Sequence, residues 1–551
     1  MAKINTVTHE GPLVNFRYPG SPVMKNKYGI TNPEAFEKRY ARDVEEATVQ
    51  LYQEPLPGKI DIEYLQHIHR KLFNRVYEWA GETRNSTFTF SDGSKAAMPL
   101  ITKDGVRSAK NDEIRLRLRQ IDKILQQENG LQGLSRENFI HHAKFLFSSL
   151  IYVHPFVEGN KRAQLIFFDK LAESAGHSFN FDLLTQARID TVWNLVEKYD
   201  DSVVLEAMLE DVSNPDKVRA LSEFVSKMRS IHGDSAENFI ILGAQGGKTY
   251  QGTYLGEGVD GFALDAGNGV YIVGNSSDLT PEQRRALKIG DTFTFTAPKM
   301  EGIERPLIPA EHLPNLTEKM LDEGVAKDIR ILNAQEKIMH LSKTVFGRYC
   351  LLKGKLDDLI KNPDVNDNLG NRIITNPKEF GSLAGWSFLG IKSVGRQEAE
   401  ETVWELGDTV RDYINLIRHT REELSANYKA EQNRRGQEVK MPSKELQEVI
   451  FGPQNIQQEA FDKSPPLRKE LEDFMNKVKG RLSQKELKDI KDGNYGGLSH
   501  NSSVSINQAK KIVDIAKQAG EVHEKVRDEE FLRAHTFKVR YFPEGKSLVV
   551  N

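Results

Sequence analysis

The chain has 551 residues, one cysteine, and 76 basic against 79 acidic residues, for a net charge of −3. A single cysteine excludes an intramolecular disulfide framework and a cysteine-ligated zinc site. The near balance of charge argues against nucleic acid as a general partner. No apolar run approaches the roughly 18 residues of a membrane span, and no secretory signal is expected at the first residues. At about 150 residues per domain, the length predicts three to four domains. The single cysteine indicates a reducing compartment.

The residues up to about 230 are predicted to be helical. Apolar residues recur every three to four positions in Ile62–Leu72 and in Glu137–Val153, as on one face of a helix. Between these segments, Phe88 and Phe90 alternate with polar residues before an Asp-Gly pair. This alternation is typical of a short β-hairpin.

The segment 233–308 differs in composition, being rich in Gly, Val, Thr, Tyr and Phe. Five runs in it have the composition of strands: Phe239–Leu242, Thr249–Leu255, Gly261–Leu264, Val270–Val273 and Thr292–Phe295. A threonine cap followed by Pro281 predicts one helix start. The pattern predicts a small OB-like β-barrel. It lacks a basic and aromatic strand face for nucleic acid, so a spacer or protein-docking role is the simpler interpretation.

The segment 310–530 is again predicted to be helical, and it is highly charged. Its longest periodic stretch is Glu398–Gln432, with an apolar face that includes Val403, Leu406 and Val410. Asn494–Ser505 is rich in Gly, Ser and Asn and is predicted to be a loop. The fold class expected for the whole chain is therefore mainly α.

One nine-residue segment, His154-Pro-Phe-Val-Glu-Gly-Asn-Lys-Arg162, carries the chemistry. The proline ends an apolar helix, a turn through Glu-Gly follows, and a second apolar helix opens at Asn160. The first N–H groups of that helix, with Arg162 and Lys161, form a site for phosphate oxygens.

Two further residue types in this segment suit a reaction at phosphorus. Glu158 offers a hard oxygen ligand for Mg²⁺, and a histidine such as His154 can take a proton from an attacking hydroxyl. A histidine before a proline is more often an ordinary helix end, and Asn-Lys-Arg is more often a solvated helix start. The functional interpretation gains weight because all these types occur together between two apolar helices.

The segment resembles the Fic family motif, His-Pro-Phe-x-(Asp/Glu)-Gly-Asn-(Gly/Lys)-Arg, at every fixed position. Tyr77–Arg84 also resembles the family's helix end before its β-hairpin flap. The resemblance implies a helical Fic domain that transfers AMP from ATP to a Ser, Thr or Tyr hydroxyl of a protein. It implies His154 as general base, Glu158 as Mg²⁺ ligand, and a flap, about Phe88–Met98, that holds the target backbone as an added strand. The nucleotide-binding residues it implies are Gly159, Asn160, Lys161 and Arg162 in the phosphate cradle, and Lys95, Ala96, Ala97 and Met98 in the flap.

Two positions depart from the commonest family pattern. Lys161 stands where many members have Gly, and Leu165 stands where many have a second Arg that holds the terminal phosphate of ATP. Asn-Lys-Arg followed by Leu also resembles the Doc branch, which acts as a kinase but lacks the motif Glu. Because Glu158 is retained, AMP transfer is favoured, with a Fic-type kinase or a degenerate Fic scaffold for protein binding as alternatives.

Three other patterns are interpreted as incidental. The family's inhibitory motif, (Ser/Thr)-x-x-x-Glu-(Gly/Asn), matches Thr6–Gly11 and Thr253–Gly258, but neither is predicted to be helical, so an inhibitor would be a separate small antitoxin protein. Gly243–Thr249 has the wrong spacing for a phosphate loop and is predicted to be a β-turn. His67 and His69 lack the company of metal ligands and are predicted to be ordinary helix histidines.

The order of the three segments resembles the Bartonella effector proteins, whose C-terminal BID domain is an antiparallel helical bundle that signals type IV secretion. Pro377–Lys392 with the following long helix resembles the BID core, and 532–551 carries four basic residues against one acid, as a secretion tail. The implied domains are 1–230 (Fic), 231–309 (OB-like β) and 310–551 (BID with tail). The implied partners are a host target protein and the bacterial secretion coupling machinery, with delivery to the host cytoplasm; host membrane association is left open.

Overall fold

The computed structural model describes residues 16–98, 102–103, 106–199, 201–299, 305–388 and 391–541. These divide into two compact units, each described separately below. The first contains the described residues within 1–279, 286–303 and 505–507, and the second those within 280–285, 304–504 and 508–551. Within the described ranges, no helix combines the length and the apolarity needed to cross a bilayer.

The first unit begins with a helical body, and several of its helices start at side-chain caps. The Asp61 carboxylate, for example, accepts the Tyr64 N–H at 3.0 Å. Apolar faces of these helices form one core, in which Leu65, Phe147 and Phe167 are completely buried. The helices are α1 Pro33–Gln53, α2 Ile62–Phe73, α3 Asn111–Gln127, α4 Arg136–Val153, α5 Asn160–Ser174, α6 Gln186–Tyr199, α7 Ser202–Ser213 and α8 Pro215–His232.

Two short antiparallel hairpins lie between α2 and α3. The first pairs β1 (Phe88–Thr89) with β2 (Lys95–Ala96), which confirms the predicted hairpin, and the second pairs β3 (Thr102–Lys103) with β4 (Val106–Arg107). Side chains that lie outside the first hairpin hold its turn in place. Glu78 accepts the Ser91 N–H at 2.8 Å, and Lys25 Nζ donates to Ser94 Oγ at 2.8 Å. The flap position is therefore set by charged side chains distant in sequence.

A five-stranded mixed sheet completes the first unit and contains every strand predicted for this segment. Its order is β5-β8-β7-β6-β9, with β5 parallel to β8 and the other pairs antiparallel. The letters of the inhibitory motif at Thr253–Gly258 fall on β6, whereas Thr6–Gly11 lies outside the described residues. The strands are β5 Ile240–Gly243, β6 Thr249–Glu257, β7 Gly261–Gly267, β8 Val270–Asn275 and β9 Thr292–Thr296. The short helix α9, Pro281–Ala286, follows β8 in the chain, and its residues 281–285 belong to the second unit.

A buried ionic network joins the sheet to the helical body. The Asp211 carboxylate on α7 accepts from Arg188 Nη2 at 3.0 Å, from Lys217 Nζ at 2.9 Å and from the Gly243 N–H of β5 at 2.9 Å. The Asp211 and Arg188 side chains are 2% and 4% exposed. The segment predicted as a spacer therefore packs into the same compact unit as the catalytic helices.

The second unit is a helical bundle, as predicted, with two apolar cores. One core includes Val325, Leu356 and Val410, and the other includes Leu446, Leu471 and Ile512. A hairpin of β10 (Ser387–Phe388) and β11 (Ile391–Lys392) precedes the longest helix. The helices are α10 Glu318–Lys327, α11 Ile329–Phe346, α12 Lys353–Lys361, α13 Leu369–Thr375, α14 Val394–Arg435, α15 Lys444–Ile450, α16 Gln454–Lys463, α17 Pro465–Arg481, α18 Gln484–Asp492, α19 Tyr495–Ser502 and α20 Ile506–Tyr541.

The loop predicted at Asn494–Ser505 is wrong, because residues 495–502 form helix α19. Asn494 caps this helix by accepting the Gly497 N–H at 3.0 Å. Leu498 is completely buried in the core, and the Ser502 hydroxyl donates to Glu486 at 2.8 Å. Burial and capping outweigh the low helix propensity of Gly, Ser and Asn. Of the predicted secretion tail, residues 542–551 lie outside the described residues.

Candidate active site

The nine-residue segment forms the tight connection between α4 and α5. His154 ends α4 in the left-handed conformation, with φ 46°. Phe156 is completely buried, as expected for an anchor, and Gly159 starts α5 with φ 82°. Because Gly159 has no side chain, no side-chain cap occupies the first N–H groups of α5. That end of the helix is therefore suited to bind an anion.

Gly159 is required here for a steric reason as well as for its backbone conformation. A β-carbon at this position would lie 2.5 Å from Cζ of the buried Phe73 ring. We predict that Gly159→Ala lowers AMP transfer strongly and reduces stability by about 1–3 kcal/mol beyond the cost of the left-handed backbone. Thermal unfolding and a transfer assay measure both effects.

Gly176→Ala is the matched control for this prediction. Gly176 has φ 80°, and a β-carbon there would meet no atom within 4 Å. The Gly176→Ala variant carries the free-energy cost of a left-handed backbone but no steric clash, so its transfer activity should remain close to that of the unmodified chain. Equal losses in the two variants would contradict the steric explanation.

Asn160 closes the connection with its side-chain amide. Its Oδ1 accepts the Phe156 N–H at 2.9 Å, and its Nδ2 donates to the Phe156 carbonyl at 2.8 Å. The amide is therefore engaged in shaping the loop, although Asn160 also lines the cavity described below. The nucleotide-binding role of this residue stays a prediction.

His69 on α2 packs against the connection between α4 and α5. It is completely buried, its ring stacks on Phe156 with centroids 3.8 Å apart, and burial lowers its pKa to about 4. The ring is therefore neutral at pH 7. Its Nδ1 accepts the Gly81 N–H at 2.8 Å, so Nε2 carries the proton and donates to the Glu158 carbonyl at 2.9 Å. The ordinary helix histidine of the sequence is thus a structural support of the site.

Arg84, the last residue of the segment before the flap, ties the flap to the catalytic loop. Its guanidinium donates to the carbonyls of His154 at 2.6 Å, Met98 at 3.3 Å and Val153 at 3.0 Å. Burial lowers the pKa of Arg84 to about 10, so the group is still charged at neutral pH. One buried cation therefore fixes the flap end and the backbone of His154 at the same time.

A cavity of about 650 Å³ opens above the loop, a size suited to a small-molecule ligand. It brings together most of the residues named from the sequence: Met98, His154, Glu158, Gly159, Asn160, Lys161 and Arg162. The other three flap residues do not line it. Lys95 is exposed, Ala96 is completely buried and Ala97 is half-buried.

The charged side chains that line the cavity favour an anionic ligand that is accompanied by a cation. The Glu158 side chain is open to the cavity, whose walls displace bulk water and raise the pKa of its carboxyl group. Nearby Lys161 and Arg17 partly offset this effect. The half-buried Arg17 lines the cavity from a short turn before α1. The sequence analysis missed Arg17, because no motif marks it.

Among the residues of α5 that line this site, Lys161 and Leu165 depart from the commonest family pattern. Lys161 forms an ion pair with Asp190 of α6. Arg162 is exposed to the cavity and makes no hydrogen bond or ion pair with the described residues. Leu165 lines the same cavity, so an apolar surface stands where a second arginine is usual.

Comparisons with known proteins agree with this geometry. The profile of the Fic/DOC family matches residues 59–172, and that of the intracellular delivery domain matches residues 242–295. A protein adenylyltransferase of Bartonella henselae is 40% identical over 513 residues, which are 93% of this chain and 94% of that protein. The chain belongs to the Fic protein adenylyltransferases. The predicted combination of a Fic domain with a delivery domain is thereby confirmed.

Two solved structures resemble parts of this Fic protein adenylyltransferase. The type IV secretion system effector protein BepA is 43% identical, covering 52% of this chain and 97% of that one, with a TM-score of 0.49. The BID domain of Bep6 from Bartonella rochalimae is 31% identical, covering 24% of this chain and 95% of that one, with a TM-score of 0.23. The delivery profile matches the sheet of strands β5–β9, a segment that the sequence analysis interpreted as a spacer or docking domain.

Proposed function

We propose that this chain transfers AMP from ATP to a hydroxyl side chain of a host protein, with His154 as the general base. One observation carries the proposal: His154, Glu158 and the uncapped start of α5 line a single cavity. A base, a carboxylate and an anion site together are the groups that a reaction at a phosphorus atom needs.

In the proposed reaction, the target hydroxyl oxygen forms a bond to the α-phosphorus of ATP. The bond from that phosphorus to the oxygen shared with the β-phosphate breaks, and pyrophosphate leaves. The hydroxyl proton passes to the imidazole of His154. The N–H groups at the start of α5 and the Arg162 guanidinium stabilise the charge that develops on the phosphate oxygens.

Glu158 fits the role of a Mg²⁺ ligand. Mg²⁺ is usually held by one or two carboxylates together with substrate phosphates. Glu158 is a single carboxylate beside the proposed phosphate site, and burial raises the pKa of its carboxyl group although Lys161 and Arg17 partly offset the effect. A bound Mg²⁺ would supply charge neutralisation of the ATP phosphates.

We propose that Arg17 replaces part of the charge that Leu165 cannot provide. Both residues line the cavity, and Arg17 contributes a cation from an element other than α5. Lys161 is less suited to this task, because its ammonium group is paired with Asp190. ATP would then be oriented by cations from two sides of the cavity.

Radioactive label in the α- or the γ-phosphate of ATP tests the proposed reaction. The full chain is incubated with host-cell lysate and either form. We expect label on protein from the α-phosphate and none from the γ-phosphate. Label from the γ-phosphate alone would support the kinase alternative that Leu165 keeps open, and absence of both labels would support a binding scaffold.

We also propose delivery through a type IV secretion system into the host cytoplasm. The match to the delivery profile and the identity to a Bartonella adenylyltransferase support this proposal. The coupling machinery would recognise the C-terminal segment 310–551, as the sequence analysis predicts. A separate small antitoxin protein stays the proposed source of any inhibition, and the motif letters Thr253–Glu257 fall on strand β6 rather than on a helix.

A further inference from the structure

The imidazole of His154 faces a carboxylate that has no role in the reaction proposed above. Nδ1 of His154 lies 3.9 Å from Oε1 of Glu197 on α6. The two side chains are 27% and 20% exposed, so bulk water screens this pair less than it would screen a pair on an open surface.

The backbone of His154 limits how its ring can turn. Its N–H donates to the Leu150 carbonyl at 3.0 Å, and its own carbonyl accepts from Arg84 at 2.6 Å. The side chain on this fixed backbone lines the cavity and lies beside Glu197 of α6. Nδ1 is the ring nitrogen near Glu197, so the nitrogen that would take the hydroxyl proton is Nε2, on the other side of the imidazole.

We infer that Glu197 is a positioning residue for AMP transfer, which orients the His154 ring and stabilises the imidazolium formed when Nε2 takes the hydroxyl proton. The inference rests on the proposed function of His154. An opposite charge within about 4–6 Å favours the charged form of a titrating group. A carboxylate on the far side of the ring therefore makes the base stronger without contacting the substrate.

Other charged groups around His154 stay in place when Glu197 is changed. Arg84 faces the His154 backbone carbonyl from the segment before the flap. On α6, Asp190 is already paired with Lys161. The charged groups that share the cavity with His154 are Arg17, Glu158, Lys161, Arg162 and Asp182. Replacing Glu197 alone therefore leaves these charged groups unchanged.

Glu197→Gln tests the inference, because it keeps the size of the side chain and removes the charge. The pH profile of AMP transfer is measured together with an NMR titration of ¹³C-labelled histidines in the full chain, in which His154→Asn identifies the His154 signal. We expect the His154 pKa and the acid limb of the profile to fall by about one pH unit. We expect kcat to fall about tenfold, since a weaker base accepts the proton less readily, with KM for ATP unchanged.

Two further variants separate this effect from a structural one. Glu197→Asp retains the charge and should restore most of the pKa and of kcat. Glu206→Gln removes a carboxylate of α7 that pairs with Lys144, and it should leave both quantities unchanged. An unshifted His154 pKa in Glu197→Gln would overturn the inference, as would equal losses of kcat in Glu197→Gln and Glu197→Asp. The titration needs no turnover, so a shifted pKa in a chain without α-label transfer would reject the proposed function and keep the pairing.

Discussion

Replacing His154 by alanine should lower kcat for α-label transfer by about 10²–10⁴-fold, the range that general base catalysis contributes. The ring nitrogen on the cavity side would be lost, while the start of α5 and Arg162 remain to bind the phosphates. The affinity for ATP, measured by calorimetry, should therefore change little. The transfer rate on a labelled target protein measures the main effect.

The matched control is His141→Ala, which changes the same residue type on the same helix α4. His141 is exposed, and it does not line the cavity. His154→Asn is the second variant, because Asn tolerates the left-handed conformation of position 154 and cannot act as the base. Transfer above one-tenth of the original rate in both His154 variants, with His141→Ala fully active, would contradict the role of His154.

Replacing Asp211 by asparagine should lower the free energy of unfolding of the first unit by about 3–5 kcal/mol. The substitution leaves the Arg188 guanidinium buried without its counter-charge, at a side-chain exposure of 4%. It also weakens the hydrogen bond from the Gly243 N–H of β5, which helps to hold the sheet on α7. Loss of a buried partner costs far more than loss of a surface pair.

Tryptophan fluorescence during urea denaturation of the full chain can measure this effect selectively. Trp79 and Trp193 of the first unit are 1% exposed, whereas Trp386 and Trp404 of the second are 60% and 64% exposed. The signal should therefore follow the first unit. The control is Asp216→Asn, since Asp216 pairs with Arg219 at the surface and should cost less than 1 kcal/mol. Similar midpoints for Asp211→Asn and Asp216→Asn would contradict the expected cost.

Much of the fold was predictable, because it depends on local patterns. Helical periodicity located α2, α4 and the long α14, and strand composition located β5 to β9. The prediction failed at α19, where the residue types of a loop are held in a helix by the burial of Leu498 and the cap at Asn494. Local propensity is weak there compared with the packing around it.

The candidate site, like the fold, was predictable from the sequence only in part. His154, Glu158 and the start of α5 lie within nine consecutive residues, and the sequence alone therefore determined this local site. The near balance of charge in the whole chain gave no sign of it. Its supports come from far along the chain: His69 is 89 residues from Glu158, and Arg84 is 70 residues from His154. Arg17 and Glu197 reach the cavity and the base from still other elements. Only the tertiary structure decided these contacts, because packing brings together residues whose own neighbours in sequence give no sign of the partner.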